Sequence, residues 1–101
     1  MATTSKALFR GAATTTTTTT LYTVPSATTT VVTDIVVTNT ASSSGTFTMS
    51  FDDVKIAELV TVGAYDSSII QIKQVLAAAK TIKGGASATT INFHISGVEI
   101  S

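Results

Sequence analysis

A chain of 101 residues fits one domain and can bury a core without covalent staples. Six Lys and Arg balance six Asp and Glu with no basic cluster large enough to neutralise phosphates, so neither nucleic acid nor an anionic membrane is expected as a partner. Cysteine is absent, which excludes disulfides and thiolate ligands, and 44% hydrophobic against 12% charged residues is too apolar for a free-standing monomer, so copies of the chain or a larger assembly should cover its surface.

The amino terminus, MATTSKALFRGAA, has no apolar h-region, and no apolar run approaches the roughly 18 residues needed to span a bilayer, so no secretion or membrane address is expected. Residues 1–17 are expected to form an extended N-terminal arm with a threonine-rich linker, and residues 18–101 the folded domain. The arm carries a short apolar patch, Ala7, Leu8 and Phe9, followed by Arg10. Cut off from the domain by the threonine run, these four residues are the candidate partner-binding site, because an isolated exposed apolar patch usually marks a contact. Thr14 to Thr20 is a homopolymer, whose β-branched side chains favour extended backbone while offering no alternation to choose a buried face.

Leu21 to Thr40, LYTVPSATTTVVTDIVVTNT, reads as a strand, a proline-marked turn and a longer strand, and the rest of the chain is expected to cover it. Strand periodicity puts Val31, Ile35 and Val37 on one face and Val32 and Val36 on the other. Both faces are then apolar, so this strand should lie between two layers, or between a sheet and a partner subunit. ASSSG at Ala41 to Gly45 is a loop, and Phe47, Met49 and Phe51 alternate with Thr48 and Ser50 as in a half-buried strand. Asp52 and Asp53 suit a tight hairpin turn, after which Val54 and Ile56 should continue the apolar face.

Asp66 to Gly85 is ambiguous. Local rules favour a helix, with Asp66 or Ser67 as cap, Ile69, Ile72, Leu76 and Ala79 at helical spacing and Gly84 as stop, while Ile70 and Ile72 alternate as in a strand. Thr89 to Ile100 reads as a closing strand with Ile91, Phe93 and Ile95 on one face. The apolar residues then shift to Val98 and Ile100, which predicts a glycine bulge with positive φ at Ser96 and Gly97.

Chemistry is sparse in this sequence. The single histidine, His94, excludes multi-histidine metal ligation, and its place on a polar strand face reads as an ordinary surface or interface residue. Asp52 and Asp53 are adjacent and point apart in a turn, which fits turn chemistry better than a carboxylate pair or calcium site. Gly84 and Gly85 lack the lysine-serine pair and helix of a phosphate loop, and Lys73, Lys80 and Lys83 read as a solvated face. No enzyme activity and no cofactor are expected.

Two stretches, LYTVPSATTTVVTDIVVTNTASSSGTFTMSFDD and QVLAAAKTIKGGASATTINFHISGVEI, resemble a group of small all-β virion structural proteins of tailed bacteriophages. The shared features are an LYTVP strand, a VV-x-x-IVV-x-N strand, a serine or glycine loop, a VLxxxxTI segment and a terminal SGVEI strand, all of them packing and turn motifs. The resemblance implies mostly strand over the ambiguous segment. The chain departs from the family at Ala77 to Lys80, AAAK, so a short helix at Gln74 to Lys80 is expected there. The expected fold is all-β, a single small β-sandwich, jelly-roll or Ig-like, of about eight strands with an extended N-terminal arm.

The resemblance further implies a non-enzymatic virion structural protein, assembled in the bacterial host cytoplasm. A capsid decoration or cement protein comes first: a homo-oligomer, expected as a homotrimer, bound to the major capsid protein. A tail, collar or fibre-attachment protein bound to a tail protein would look the same in sequence. A carbohydrate-binding β-sandwich is the alternative of a different class, with Tyr22 and Tyr65 as its only stacking platforms.

Overall fold

The computed structural model describes residues 2–101, and these contain eight strands and no helix. In chain order they are β1 (Thr3–Ala12), β2 (Thr20–Thr23), β3 (Thr29–Asn39), β4 (Gly45–Phe51), β5 (Val54–Val62), β6 (Ser67–Leu76), β7 (Thr81–Ala86) and β8 (Ile91–Ile100). They form two antiparallel four-stranded sheets, sheet A in the order β1-β8-β3-β6 and sheet B in the order β2-β7-β4-β5. Only β4 and β5 follow one another within a sheet; every other connection crosses between sheets.

The inner faces of both sheets contribute to one core cluster. Ile35, Val37, Ile91, Phe93 and Ile95 come from sheet A, and Phe47, Met49, Val62 and Ile82 from sheet B. Phe47 meets Phe93 edge to face across the two sheets, with ring centroids 6.1 Å apart. A buried phenylalanine is worth about 1.5–3 kcal/mol, and the edge-to-face pairing adds about 0.5–1.5 kcal/mol. Phe47, Met49 and Phe51 therefore face the core as their alternation predicts. Asp52 (φ 53°) and Asp53 (φ 61°) close the β4–β5 hairpin as a two-residue turn with both residues left-handed, a conformation Asp tolerates.

The extended N-terminal arm is not what the structure shows. Residues 3–12 are β1, paired with β8 along its length, and Leu8 and Ala13 are buried. The threonine run arches back instead: Ala86 N–H donates to Thr14 O and Gly84 N–H to Thr19 O, which ties the arch to the edge of β7. The arch passes so close to Gly85 that a β-carbon there would lie 2.3 Å from Thr16 O. A glycine admits such a backbone approach and a larger residue does not.

The bulge expected at Gly97 lies elsewhere. β8 runs straight, and its two neighbours carry the extra residues: Leu8 in β1, between Ala7↔Ser96 and Phe9↔Ile95, and Thr33 in β3, between Val32↔Gly97 and Asp34↔Ser96. No glycine has positive φ among the described residues. The hydrophobic parity misled because the inward positions after Ile95 are Gly97 and Glu99, while Val98 and Ile100 point outward. Leu8 fills the space above Gly97.

The Thr33 bulge also changes the faces of β3. Val32, Ile35 and Val37 are buried together, and Val31 and Val36 lie on the outer face of sheet A.

No helix forms over Gln74–Lys80. β6 ends at Leu76, and a turn with Ala79 left-handed (φ 70°) leads into β7. Val24 claims the backbone groups a helix would need, since Val24 N–H donates to Lys80 O and Ala79 N–H to Val24 O. Val54 and Ile56 lie at an edge strand and are exposed, contrary to the expected continuation of the core face.

Candidate interaction surface

The four residues of the N-terminal patch are split by the bulge at Leu8. Leu8 is buried and Phe9 is half-buried against the core, whereas Ala7 and Arg10 stay exposed on the outer face of sheet A. The apolar members of the patch thus contribute to the chain's own core, and only Ala7 and Arg10 remain open to a partner.

The other residues singled out in the sequence lie apart. His94 is exposed on the outer face of sheet A, level with Arg10 on β1 and Val36 on β3. At the opposite sheet, Asp53 accepts from Lys83 Nζ at 2.7 Å and Asp52 lies 3.5 Å from Lys80 Nζ. The Lys83 ammonium holds the Asp53 carboxyl below its usual range. Two of the three lysines of the apparent basic cluster are therefore engaged by the turn carboxylates. Among the described residues, no three His, Asp or Glu side chains converge in a way that holds a metal ion.

Tyr22 is engaged inside the molecule. Its hydroxyl donates to Glu99 Oε2 on β8 and lies 2.8 Å from Thr30 Oγ1 on β3, so it joins sheet B to sheet A. Lys6 on β1 reaches the same carboxylate at 3.4 Å. Burial pushes the Tyr22 hydroxyl up to about 12, with the bond to Glu99 contributing in the same direction. This network satisfies the inward carboxylate of Glu99, and no buried side-chain polar atom lacks a partner among the described residues. Sequence periodicity had no means of finding it, because Lys6, Tyr22, Thr30 and Glu99 are brought together only by sheet register.

One open groove of about 540 Å3 lies over the bulged region of β3 and β6, lined by Thr33, Asp34, Gln71, Ile72 and Lys73. It contains no aromatic platform, and Tyr65, the one exposed tyrosine, is in the loop before β6.

The outer face of sheet A is mixed, with Arg10, His94, Ser96, Asp34 and Gln71 set between short apolar rows. Cross-strand register aligns Val98, Val31 and Val75 in one row, Ile100 beside Thr29 in the next, and Val36 with Ile69 in another. Ile69 and Val75 are 67% and 68% exposed, and Val31, Val36 and Val98 are half-buried. The outer face of sheet B differs. Its Thr46, Ser50 and Lys83 are half-buried, Thr48 is buried, and the threonine arch crosses it at Gly85. No protein-family model matches this chain, and no curated protein matches it either.

Proposed function

We propose that the chain is a non-enzymatic structural protein of a bacteriophage virion, most specifically a capsid decoration protein that self-associates and binds the shell. The observation that carries this reading is the set of exposed branched apolar side chains, Ile69 and Val75 on β6 and Val54 and Leu59 on β5, on a chain with only 12% charged residues. Exposed side chains of that kind are suited to burial, and assembly on a repetitive shell provides it. The phage resemblance of the LYTVP, VVTDIVV and SGVEI segments supports the same reading.

The fold belongs to the proposal as a single jelly-roll sandwich. Its support is the strand order β1-β8-β3-β6 beside β2-β7-β4-β5, with connections that alternate between sheets, an arrangement used in viral capsid and lectin domains. A glycan-binding role ranks below the virion role, because Tyr22 is bonded inside the molecule and the open groove has no aromatic residue.

Quantifying the protein in purified particles tests the proposal. Hundreds of copies per particle are expected for a shell protein. A dozen or fewer would move it to the tail or collar, and absence from the particle would overturn the virion reading altogether.

A further inference from the structure

Each sheet ends in strands whose outer row of backbone groups has no strand beside it: β1 and β6 in sheet A, β2 and β5 in sheet B. Such an edge is a template for another strand unless something blunts it. β1 carries a bulge at Leu8 with Lys6 and Arg10 on either side, and β2 is only four residues long. β5 has two register shifts, a left-handed Leu59 (φ 50°) and the ion pair of Lys55 with Glu58. The β6 edge differs. From Ser67 to Gln71 it pairs residue for residue with Thr38 to Asp34 of β3, and its irregularity, Ile72 and Lys73 opposite Thr33, comes after that run. The run, SSIIQ, holds no charge, glycine, proline or left-handed residue, and Ile69 at its middle is exposed.

Which backbone groups face outward follows from the ladder. Asn39 N–H donates to Asp66 O where β3 meets the start of β6. Residues of an antiparallel strand turn their N–H and C=O alternately to one side and the other, so Ser68 and Ile70 face β3 as Asp66 does. Ser67, Ile69 and Gln71 direct theirs to the open edge. Ser67 N–H accordingly donates to its neighbour's carboxylate, Asp66 Oδ1, at 2.8 Å.

The remaining groups of that edge are self-complementary. Turned about a two-fold axis through Ile69, the run meets itself antiparallel: Ile69 exchanges both bonds with Ile69 of a second copy, and Gln71 N–H of each copy donates to Ser67 C=O of the other. The contact of Ser67 with Asp66 stays in place, and the two exposed Ile69 side chains come to lie opposite one another on one face. Charge favours this orientation. Asp66 of one copy comes opposite Ile72 of the other, one residue from Lys73, and symmetry makes the contact twice. Among the described residues neither Asp66 nor Lys73 has an ion-pair partner in its own chain. In-register parallel pairing would instead set each beside its like.

From these features we infer that two copies of the chain join edge to edge, β6 against β6 about a two-fold axis at Ile69, so that their A sheets continue into one. An edge paired with itself in this way closes, whereas β6 on a different edge would propagate copy after copy. The contact is a single strand deep on each side, below the roughly 1,200 Å2 of total buried area at which standard interfaces begin, so the dimer forms at high concentration. The inference rests on the self-association in the proposed function, and it names the strand that carries it.

The test is light scattering from micromolar to millimolar concentration on the purified full chain, on Ile69→Pro and on Ile69→Thr, with melting temperatures and amide hydrogen exchange measured alongside. Wild type should pass from monomer to dimer across that range, and its Ile69 and Gln71 amides should exchange more slowly as the dimer forms. Ile69→Pro deletes an N–H that faces the open edge, a position where a strand accepts proline, so it should fold and weaken association by about tenfold or more. Ile69→Thr keeps that N–H and should dimerise within about fivefold of wild type. A dimer unaffected by Ile69→Pro, or a trimer, would keep self-association and overturn the β6 pairing. Should Ile69→Pro fail to fold, the wild-type amides decide: slowed exchange at Ile69 and Gln71 in the dimer upholds the pairing, and unchanged exchange overturns it. A wild type that stays monomeric throughout would also overturn it, while the copy number in particles decides separately whether the virion reading stands.

Discussion

Gly97 sits where three strands crowd together, between the bulges of β1 and β3. A β-carbon there would lie 2.4 Å from Val31 O and 2.8 Å from Leu8 Cδ1, and the first of these is backbone that cannot swing away. The requirement for glycine is therefore steric, without any demand on φ. Gly97→Ala is expected to cost about 1–3 kcal/mol through the shift forced on β3, which lowers the melting temperature by about 4–8 °C per kcal/mol. A positive-φ bulge would have predicted rescue by asparagine. Here Gly97→Asn should be at least as destabilising as alanine, and thermal denaturation of the two variants distinguishes the explanations.

Tyr22 tests the polar network at the same end of the core. Removing its hydroxyl in Tyr22→Phe leaves Thr30, which is fully buried, without its tyrosine partner and Glu99 with Lys6 alone, at an expected cost of about 1–3 kcal/mol. The pH dependence has a definite sign. The folded state holds the Tyr22 proton up to about 12 against an ordinary value of 10.0, so it binds more protons than the unfolded chain between those values. Stability from this group is complete below pH 10 and is lost as pH rises through 12. Urea melts at pH 9 and pH 11.5 should show this alkaline loss in wild type and a smaller loss in Tyr22→Phe.

Among the elements, β1 departs furthest from its sequence expectation. Its ten residues read as an arm because the threonine run after them has no periodicity, and because Ala7, Leu8 and Phe9 are too short an apolar run to announce a strand. The register that buries Leu8 comes from β8, almost ninety positions away in the chain, and no local pattern reports it. Where the local pattern and the tertiary partner agree, as in Phe47, Met49 and Phe51 or the Asp52-Asp53 turn, the sequence was legible. It misled where a bulge changed parity, as at Thr33, or where strand partners claimed the backbone groups of a segment with helical spacing, as Val24 does at Lys80.

The placement of β1 reverses the expected effect of removing it. Deleting residues 1–13 strips an edge strand from sheet A and takes Leu8 and Ala13 from the core, so the remainder should fail to fold cooperatively. Leu8→Ala alone is expected to cost about 2–5 kcal/mol, the range for emptying a buried leucine site. Far-ultraviolet circular dichroism on the truncated chain and a melting curve on Leu8→Ala measure these effects. A truncated protein with a wild-type melting curve would mean that β1 is dispensable to the fold.

At the scale of the whole molecule, Ala2 and Ser101 meet. Ala2 N–H donates to Ser101 O and Ser101 N–H to Ala2 O, so the first and last described residues form a closed antiparallel pair of the kind that flanks a two-residue hairpin turn. Joining Ser101 to Ala2 through Asn-Gly should therefore complete a β8–β1 hairpin with a left-handed turn that both inserted residues tolerate. New termini can be opened between Ser26 and Ala27, in the exposed loop between β2 and β3, where cutting removes no strand pairing. This circular permutant is expected to keep the wild-type circular dichroism spectrum and to melt within a few degrees of wild type. It should also refold faster, because the β1–β8 pairing becomes local in sequence and its loop-closure cost falls. The outcome bears on the proposed assembly as well, since the covalent hairpin compels β1 to pair with its own β8. Under the proposed virion role, a permutant that folds and joins particles as wild type does would establish that β1 belongs to its own subunit's sheet. Under the same proposal, a permutant that folds but no longer joins particles would mean that β1 leaves its own sheet to pair with a neighbour's.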